Sequence, residues 1–131
     1  MTVSQFLQQF AGEQTHVIIE SDFEVSMKEE LLQIAIRNLI DNAHKYSNGQ
    51  PVIVLSTDPR KIEIIDQGIG IPKADLPRVF SPFYRAGNTE GIKGNGIGLA
   101  LTKSIIEKYG ASIKVQSAEN HGTMVSIKFP K

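Results

Sequence analysis

The sequence predicts a two-layer α/β sandwich, in which helices cover one face of a β-sheet. The chain of 131 residues has the size of one domain and is long enough to bury a core. About five stretches have the composition or alternation of β-strands, and three others have helical periodicity. Elements in these proportions bury their apolar faces by packing helices against a sheet. We therefore expect residues 1–131 to form a single domain.

The helical patterns are clearest in the first half of the chain. Phe6, Leu7 and Phe10 predict a short N-terminal helix that ends near Gly12. Residues 27–45 predict a long amphipathic helix, because apolar side chains recur there at spacings of four, three and four: Leu32, Ile36, Leu39 and Ala43. Ser26, with Glu29 three residues later, has the pattern of an N-terminal capping box. Asn48-Gly49 predicts the end of the helix.

The strand patterns lie on both sides of that helix. Residues 17–19 predict a brief strand, and residues 52–55 and 61–66 predict a hairpin joined by a turn at Asp58-Pro59. Two further strands are expected at residues 112–117 and 123–129. In the last strand, alternation predicts that one set of side chains points inward: Val125, Ile127 and Phe129.

Between these strands the chain predicts a helical turn, a loop and a third helix. The turn is expected at residues 76–80. Residues 85–95 contain three glycines and hardly any apolar side chain, so we expect a mobile loop there. Helical periodicity returns from residue 97 to residue 109, and Gly110 has the position of a C-terminal cap.

Composition and charge exclude several classes of protein. The formal net charge is zero, so no broad electrostatic field favours nucleic acid or an anionic membrane. The chain has no cysteine, which excludes disulfides and thiolate metal sites and fits a reducing compartment. No apolar run approaches the roughly 20 residues of a membrane span. We expect a cytoplasmic protein without nucleic-acid or direct membrane contact, monomeric in isolation.

Four polar side chains are predicted to share one face of the long helix. Asn38, Asn42, Lys45 and Tyr46 are spaced by four, three and one residues, so helical geometry brings them together. Two amides, an ammonium and a phenol are an unusual coat for a solvated helix. The pattern alone is equally compatible with a polar outer face.

An acidic residue and two glycines end the strand at residues 61–66. Asp66 alternates in phase with Ile62 and Ile64, so we expect its carboxylate to face the helices and to need a hydrogen-bond donor. The exocyclic amine of a purine is one such donor, and Gly68 and Gly70 would let a flat ring approach the backbone. An ordinary strand-to-loop turn has the same pattern.

A second glycine-rich stretch precedes the third helix. Gly94, Gly96 and Gly98 have G-x-G-x-G spacing, which matches neither the Rossmann nor the Walker fingerprint. Backbone N–H groups at a helix N-terminus nonetheless favour an anion. Arg85, at the edge of the predicted loop, is able to reach a phosphate. The histidines, by contrast, have no metal-ligand spacing and are expected at the surface: His16, His44 and His121.

Taken in order, these motifs resemble the ATP-binding catalytic domain of sensor histidine kinases, in the GHKL superfamily. Residues 38–47 resemble the N box, residues 66–70 the first glycine box, residues 80–85 the F box and residues 94–99 the second glycine box. Gly122-Thr123 resembles the closing glycine motif. The resemblance implies the α+β Bergerat/GHKL fold, with a mixed, mainly antiparallel sheet of about five strands covered on one face by three helices.

The resemblance also implies the cofactors ATP and Mg²⁺ and a set of residues that bind them: Asn38, Asn42, Lys45, Tyr46, Asp66, Gly68, Gly70, Ile71, Arg85, Gly94, Gly96, Gly98 and Leu99. Asn42 would coordinate the metal with help from Asn38, and Lys45 would neutralise phosphate charge. Tyr46 would pack on adenine or ribose, and Asp66 would accept from the adenine amino group.

The glycines at 94, 96 and 98 would cradle phosphates below a lid at about residues 85–95, and the catalytic residues would be Asn38, Lys45 and Arg85. The phosphoacceptor histidine of the family lies on a separate dimerising helical domain, which nothing in this chain resembles. The implied partners are therefore that helical domain of the same protein and a response regulator downstream. The resemblance is compatible with a membrane-anchored sensor as the full-length parent.

Two other functions are compatible with the same motifs. A GHKL ATPase clamp of the gyrase, mismatch-repair or chaperone type carries a water-activating glutamate one turn before the magnesium asparagine. This chain has Asn38 there, and an amide cannot act as a base. A non-catalytic nucleotide-sensing or anti-sigma module would be expected to lack residues 80–85. Tyr109-Gly110-Ala111 also departs from the His-Gly-Gly run common in the family, a local turn variation.

Overall fold

The structure is a computed structural model that describes residues 1–81 and 98–131. Three helices and five strands follow one another along these residues: α1 (Val3–Leu7), β1 (Thr15–Ile19), α2 (Glu29–Lys45), β2 (Val52–Thr57), β3 (Lys61–Asp66), α3 (Gly98–Lys108), β4 (Ser112–Ser117) and β5 (Thr123–Lys128). Two short 3₁₀ segments are added at Gln8–Phe10 and Lys73–Arg78. The predicted α+β class is confirmed.

The five strands form one mixed sheet in the order β1-β2-β3-β5-β4. β1 runs parallel to β2, and every other neighbouring pair is antiparallel. β3 is therefore the central strand, and its residues pair with both β2 and β5. This places the carboxyl end of β3, at Asp66, in the middle of one end of the sheet.

The core lies between the sheet and the helices. On α2 the apolar stripe is buried as the periodicity predicts: Leu32, Ala35, Ile36, Leu39, Ile40 and Ala43. It packs against the inward side chains of β2 and β3, which alternate with half-buried residues: Val52, Val54, Ile62 and Ile64. α3 packs beside α2, and the side chain of Ile106 on α3 is fully buried in the core.

The predicted capping box at Ser26 is wrong. The helix begins at Glu29, its N-cap is Lys28, and no side-chain hydrogen bond caps it. Val25 and Met27 are buried while Ser26 between them is exposed. This alternation is that of an extended segment. Burial of its two apolar neighbours therefore turns Ser26 outward, away from the helix.

Within residues 1–81 and 98–131, no helix is both long and apolar enough to cross a lipid bilayer.

Candidate functional site

The polar face of α2 ends where the central strand ends. Asn38 and Asn42 are half-buried and Lys45 is exposed on the last turn of the helix. Tyr46 is the C-cap residue, and its carbonyl oxygen accepts from the backbone N–H of Ile69 at 3.0 Å. That contact joins the end of α2 to the loop that follows β3. The predicted row of side chains therefore lies beside the carboxyl end of β3.

The functional groups of this face have no partner in the described part of the chain. Among residues 1–81 and 98–131, no hydrogen bond or ion pair engages the side chain of Asn38, Asn42 or Lys45. None of the three side chains is fully withdrawn from water, since both asparagines are half-buried and the lysine is exposed. Within residues 1–81 and 98–131, their hydrogen-bonding capacity is therefore not used by other side chains or by the backbone.

Asp66 points toward the helices, as the alternation of β3 predicts. Its side chain is only 7% exposed, and its Oδ1 accepts from the backbone N–H of Gly68 at 2.9 Å. Burial raises the pKa of this carboxyl, while backbone hydrogen bonds from Gly68 and Thr123 oppose the shift. A carboxylate held in this way still has lone pairs to offer. It can accept from a further donor that enters the site.

The loop after Asp66 is pressed between two other backbone segments. An added Cβ at Gly68 would lie 1.5 Å from the carbonyl oxygen of Tyr46. Gly70 has a φ of +68°, and its Cβ would lie 2.0 Å from the carbonyl oxygen of Ala118. Glycine is therefore required at both positions for packing of backbone on backbone. This is a different reason from the predicted approach of a flat ring.

Two hydroxyl groups missed by the sequence prediction of the site complete this end of the sheet. Asp66 pairs with Thr123 across β3 and β5, and Thr123 pairs with Ser117 across β5 and β4. The hydroxyl oxygens of Ser117 and Thr123 are 2.8 Å apart. The signal for Thr123 was available, because Thr123 is in phase with the inward residues Val125 and Ile127. Ser117 is brought to the site only by strand pairing.

The prediction of a surface histidine at residue 44 is also wrong. His44 is half-buried on the last turn of α2, and its Nε2 lies 2.8 Å from Oγ1 of the buried Thr15 in β1. The carbonyl oxygen of His44 also accepts from the hydroxyl of Ser47 at 3.1 Å. The residue ties the end of α2 to the first strand.

The remaining predicted positions are divided by the limits of the described chain. Ile71 lies in the loop after β3, and its backbone N–H donates to the Ser117 hydroxyl at 2.8 Å. Gly98 is the first residue of α3, and Leu99 is half-buried against the core. Arg85, Gly94, Gly96 and the predicted lid at residues 85–95 lie outside the described residues.

The residues present fit a magnesium ion. Asn38 and Asn42 are one helical turn apart on α2, and amide oxygens are among the hard ligands that Mg²⁺ accepts alongside phosphate oxygens. Within the described ranges, no group of three or more histidine, aspartate or glutamate side chains offers a competing metal site. A metal ion at this end of the sheet would be held by these amides together with the phosphate oxygens of a bound molecule.

Known proteins are similar to this chain in sequence and in fold. Residues 27–131 match the family described as histidine kinase-, DNA gyrase B-, and HSP90-like ATPase. The chain is 39% identical to the heme sensor protein HssS of Staphylococcus saprophyticus, over 95% of this chain and 28% of that protein. It is 33% identical to the sensor histidine kinase WalK of Bacillus subtilis, over 85% of this chain and 20% of that protein.

Solved structures agree with the sequence relatives. The mycobacterial sensor histidine kinase MprB superimposes with a TM-score of 0.75 and 29% identity, over 95% of this chain and 88% of that chain. Full-length ShkA, solved in complex with AMPPNP, superimposes with a TM-score of 0.74. At 18% identity, ShkA shows the fold alone.

The match covers most of this chain but little of its relatives, since the chain spans less than a third of the length of the curated sensor proteins it matches. What it shares with them is the ATPase domain. The chain therefore belongs to the histidine kinase-, DNA gyrase B- and HSP90-like ATPase family, as an ATP-binding domain of the kind that sensor histidine kinases carry.

Proposed function

We propose that this domain binds Mg-ATP at the carboxyl end of β3 and transfers the γ-phosphate to a histidine on a separate helical domain of the same protein. A response regulator would receive the phosphate downstream. The observation that carries the proposal is the juxtaposition of a buried carboxylate, Asp66, with amides and an ammonium of α2 that have no partner among the described residues. Carboxylate, amide and ammonium groups match the amine, metal and phosphates of Mg-ATP.

Asp66 is proposed to select the purine. Its carboxylate is anchored by the N–H of Gly68 and still has accepting capacity for the amino group of adenine. Because the site excludes water from the carboxyl, a matched donor gains more there than at the surface. Tyr46, half-buried at the end of α2, lies next to the same loop and is proposed to pack on adenine or ribose.

The face of α2 is proposed to hold the triphosphate. Asn42 and Asn38 would coordinate Mg²⁺, and Lys45 would contact the phosphates. The ion would neutralise charge on the phosphate oxygens when bound. The positions outside the described residues stay proposals from the sequence: Arg85 as a phosphate contact, Gly94 and Gly96 as phosphate cradle and residues 85–95 as lid. Gly98 and Leu99 would complete this set at the start of α3.

The identity of residue 38 favours transfer over hydrolysis. In the reaction, an imidazole nitrogen attacks the γ-phosphorus, the bond to the β-phosphate oxygen breaks, and ADP leaves. The nucleophile is imported, so the domain needs to position the phosphate and not to activate water. The amide of Asn38 cannot take a proton from water. This supports a kinase over an ATPase of the gyrase type.

A radiolabel transfer assay tests the proposal. The chain is incubated with Mg-[γ-³²P]ATP, with and without the helical domain that bears the phosphoacceptor histidine. We expect acid-labile label on that domain, none on His16, His44 or His121, and little release of phosphate by the chain alone. Asn42→Ala should abolish transfer, since a ligand to the metal is lost. Gln33→Ala, which removes an exposed amide elsewhere on α2, is the matched control and should transfer normally.

Vigorous release of phosphate by the chain alone, unchanged by the added histidine domain, would instead support the ATPase function. Normal transfer by Asn42→Ala would remove that residue from the metal site.

A further inference from the structure

The hydroxyl of Ser117 joins three segments of the chain at the end of the sheet that carries Asp66. Ser117 is the last residue of β4 and is half-buried. Its Oγ accepts from the backbone N–H of Ile71 at 2.8 Å and donates to the carbonyl oxygen of Gly122 at 2.9 Å. The third neighbour is the hydroxyl oxygen of Thr123, also at 2.8 Å. These contacts use every hydrogen-bonding position that a serine hydroxyl has.

Proton counting fixes the direction of the third bond. A serine hydroxyl has one proton and two lone pairs. Ser117 donates this proton to the carbonyl oxygen of Gly122, which can only accept a hydrogen bond. Ile71 donates into one lone pair, so Thr123 must donate its hydroxyl proton into the other. The oxygen of Thr123 is therefore left with lone pairs only, and it faces any ligand as an acceptor.

Thr123 and Asp66 present the same polarity to the site. They are cross-strand partners, with side chains on the helix-covered face of the sheet. The end of the sheet thus offers two neighbouring acceptors and no hydroxyl proton. A heterocycle with an exocyclic amine matches this arrangement, and a heterocycle with a carbonyl at the same position opposes it.

We infer that Ser117 is a specificity-determining residue, which selects 6-aminopurine over 6-oxopurine nucleotides by holding the Thr123 hydroxyl as an acceptor. The inference rests on the proposed binding of ATP at this end of the sheet. Without the Ser117 hydroxyl, the proton of Thr123 is released and can rotate toward a ligand carbonyl. Thr123 would then accept from an amine or donate to a carbonyl, and discrimination would fall.

The test compares ATP with inosine triphosphate, in which a carbonyl replaces the amine at position 6 of the purine and N1 carries a proton. Dissociation constants for both Mg-nucleotides are measured by calorimetry for the wild type and for Ser117→Ala. We expect Ser117→Ala to weaken ATP more than inosine triphosphate and to reduce the preference for ATP by about three- to tenfold, the size of one hydrogen bond. Ser117→Thr keeps the hydroxyl and should keep the wild-type preference.

Two controls distinguish an effect on the orientation of the Thr123 hydroxyl from a general loss of structure. Ser56→Ala removes another buried serine hydrogen bond of the same sheet, on β2 and away from Asp66, and should leave the preference unchanged. Thr123→Val keeps the shape but removes the acceptor, so it should itself reduce the preference for ATP. In that background Ser117→Ala should reduce the preference no further, because no hydroxyl remains to be oriented.

The outcomes are distinct. If the wild type binds neither nucleotide, the proposed function fails and the inference falls with it. If the wild type binds ATP but Ser117→Ala weakens both nucleotides equally, the proposed function stands and the inference is overturned. The inference is also overturned if Ser117→Ala reduces the preference for ATP by the same factor in Thr123→Val as in the wild type. Ser117 would then act without Thr123.

Discussion

The two ends of β3 use polar groups in opposite ways. At the amino end, Arg60 donates from Nε to the carbonyl of Pro130 at 2.8 Å and from Nη2 to the carbonyl of Glu24 at 2.7 Å. Its guanidinium also lies 5.3 Å from the centre of the Phe23 ring. At the carboxyl end, Asp66 is buried beside an α2 face whose side chains have no partners among the described residues.

This contrast separates groups that hold the fold together from groups that await a ligand. The donors of Arg60 are consumed in closing the chain, since they join the segment before α2 to the end of β5. Within the part of the chain that the structure describes, the acceptors of Asp66 are only partly used and the nearby amides of α2 make no hydrogen bond. Loss of a group at the amino end should therefore cost stability, whereas loss of one at the carboxyl end should cost binding.

The largest expected effect is at Gly68, where fold and site meet. Gly68→Ala would place a Cβ 1.5 Å from the Tyr46 carbonyl oxygen, so the loop or the end of α2 must move. We expect the free energy of unfolding to fall by on the order of 3 kcal/mol, and ATP binding to be lost as well. Urea denaturation measures the first effect and calorimetry the second.

Gly12→Ala is the matched control for Gly68→Ala. An added Cβ at Gly12 meets nothing within 4 Å, so the free energy of unfolding should change by less than about 1 kcal/mol. Equal stability of the two variants would show that the contact between Gly68 and Tyr46 does not constrain the loop.

Asp66→Asn should weaken ATP by about 10- to 100-fold, the usual size of a hydrogen bond to a charged group. The amide presents donors as well as an acceptor to the adenine amine. Tripolyphosphate lacks the base, so its affinity should change much less. Calorimetry with both ligands makes the comparison, and equal losses for the two would remove Asp66 from the adenine site.

Arg60→Met should produce the opposite pattern. The variant keeps an aliphatic side chain near Phe23 but loses two hydrogen bonds to carbonyl oxygens, so we expect a loss of about 1 kcal/mol in the free energy of unfolding. ATP affinity should match that of the wild type. A large loss of ATP affinity without loss of stability would contradict the division between the two ends.

The smallest effect concerns pH. Burial raises the pKa of Asp66 above its ordinary value of 3.8, so the folded state binds more protons than the unfolded state between these two pKa values. The contribution of Asp66 to stability therefore decreases as pH rises through that window and is constant above it. Relative to Asp66→Asn, the wild type should be more stable at acidic than at neutral pH. Denaturant titrations of both proteins measure the difference in their free energies of unfolding. A wild-type advantage that grows as pH rises would contradict a raised pKa of Asp66.

Local periodicity predicted the elements that carry the site. The period of α2 predicts its buried apolar stripe, and the alternation of β3 predicts that Asp66 points toward the helices, as the structure shows. These predictions succeeded because helix and strand periods are local properties of the sequence. The mixed, mainly antiparallel sheet of about five strands that the family resemblance implies is confirmed as well.

Contacts between distant segments were beyond the reach of periodicity. Ser26 looked like a cap, but burial of Val25 and Met27 turned it away from the helix. His44 looked solvated until the parallel pairing of β1 brought Thr15 to its ring. Ser117 lies next to Thr123 only because β4 pairs with β5. Each miss depends on a tertiary contact, and such contacts are not encoded in the local period of a helix or strand.

The most direct test of the account is a ¹⁵N–¹H correlation spectrum recorded during titration with Mg²⁺ and a non-hydrolysable ATP analogue. If the carboxyl end of β3 is the nucleotide end, the amides of Gly68, Ile69 and Thr123 should shift strongly, while those of Arg60 and Phe129 should stay in place. Shifts concentrated around Arg60 and Phe129, with Gly68 and Thr123 unmoved, would contradict the central claim and place the ligand at the other end of the sheet.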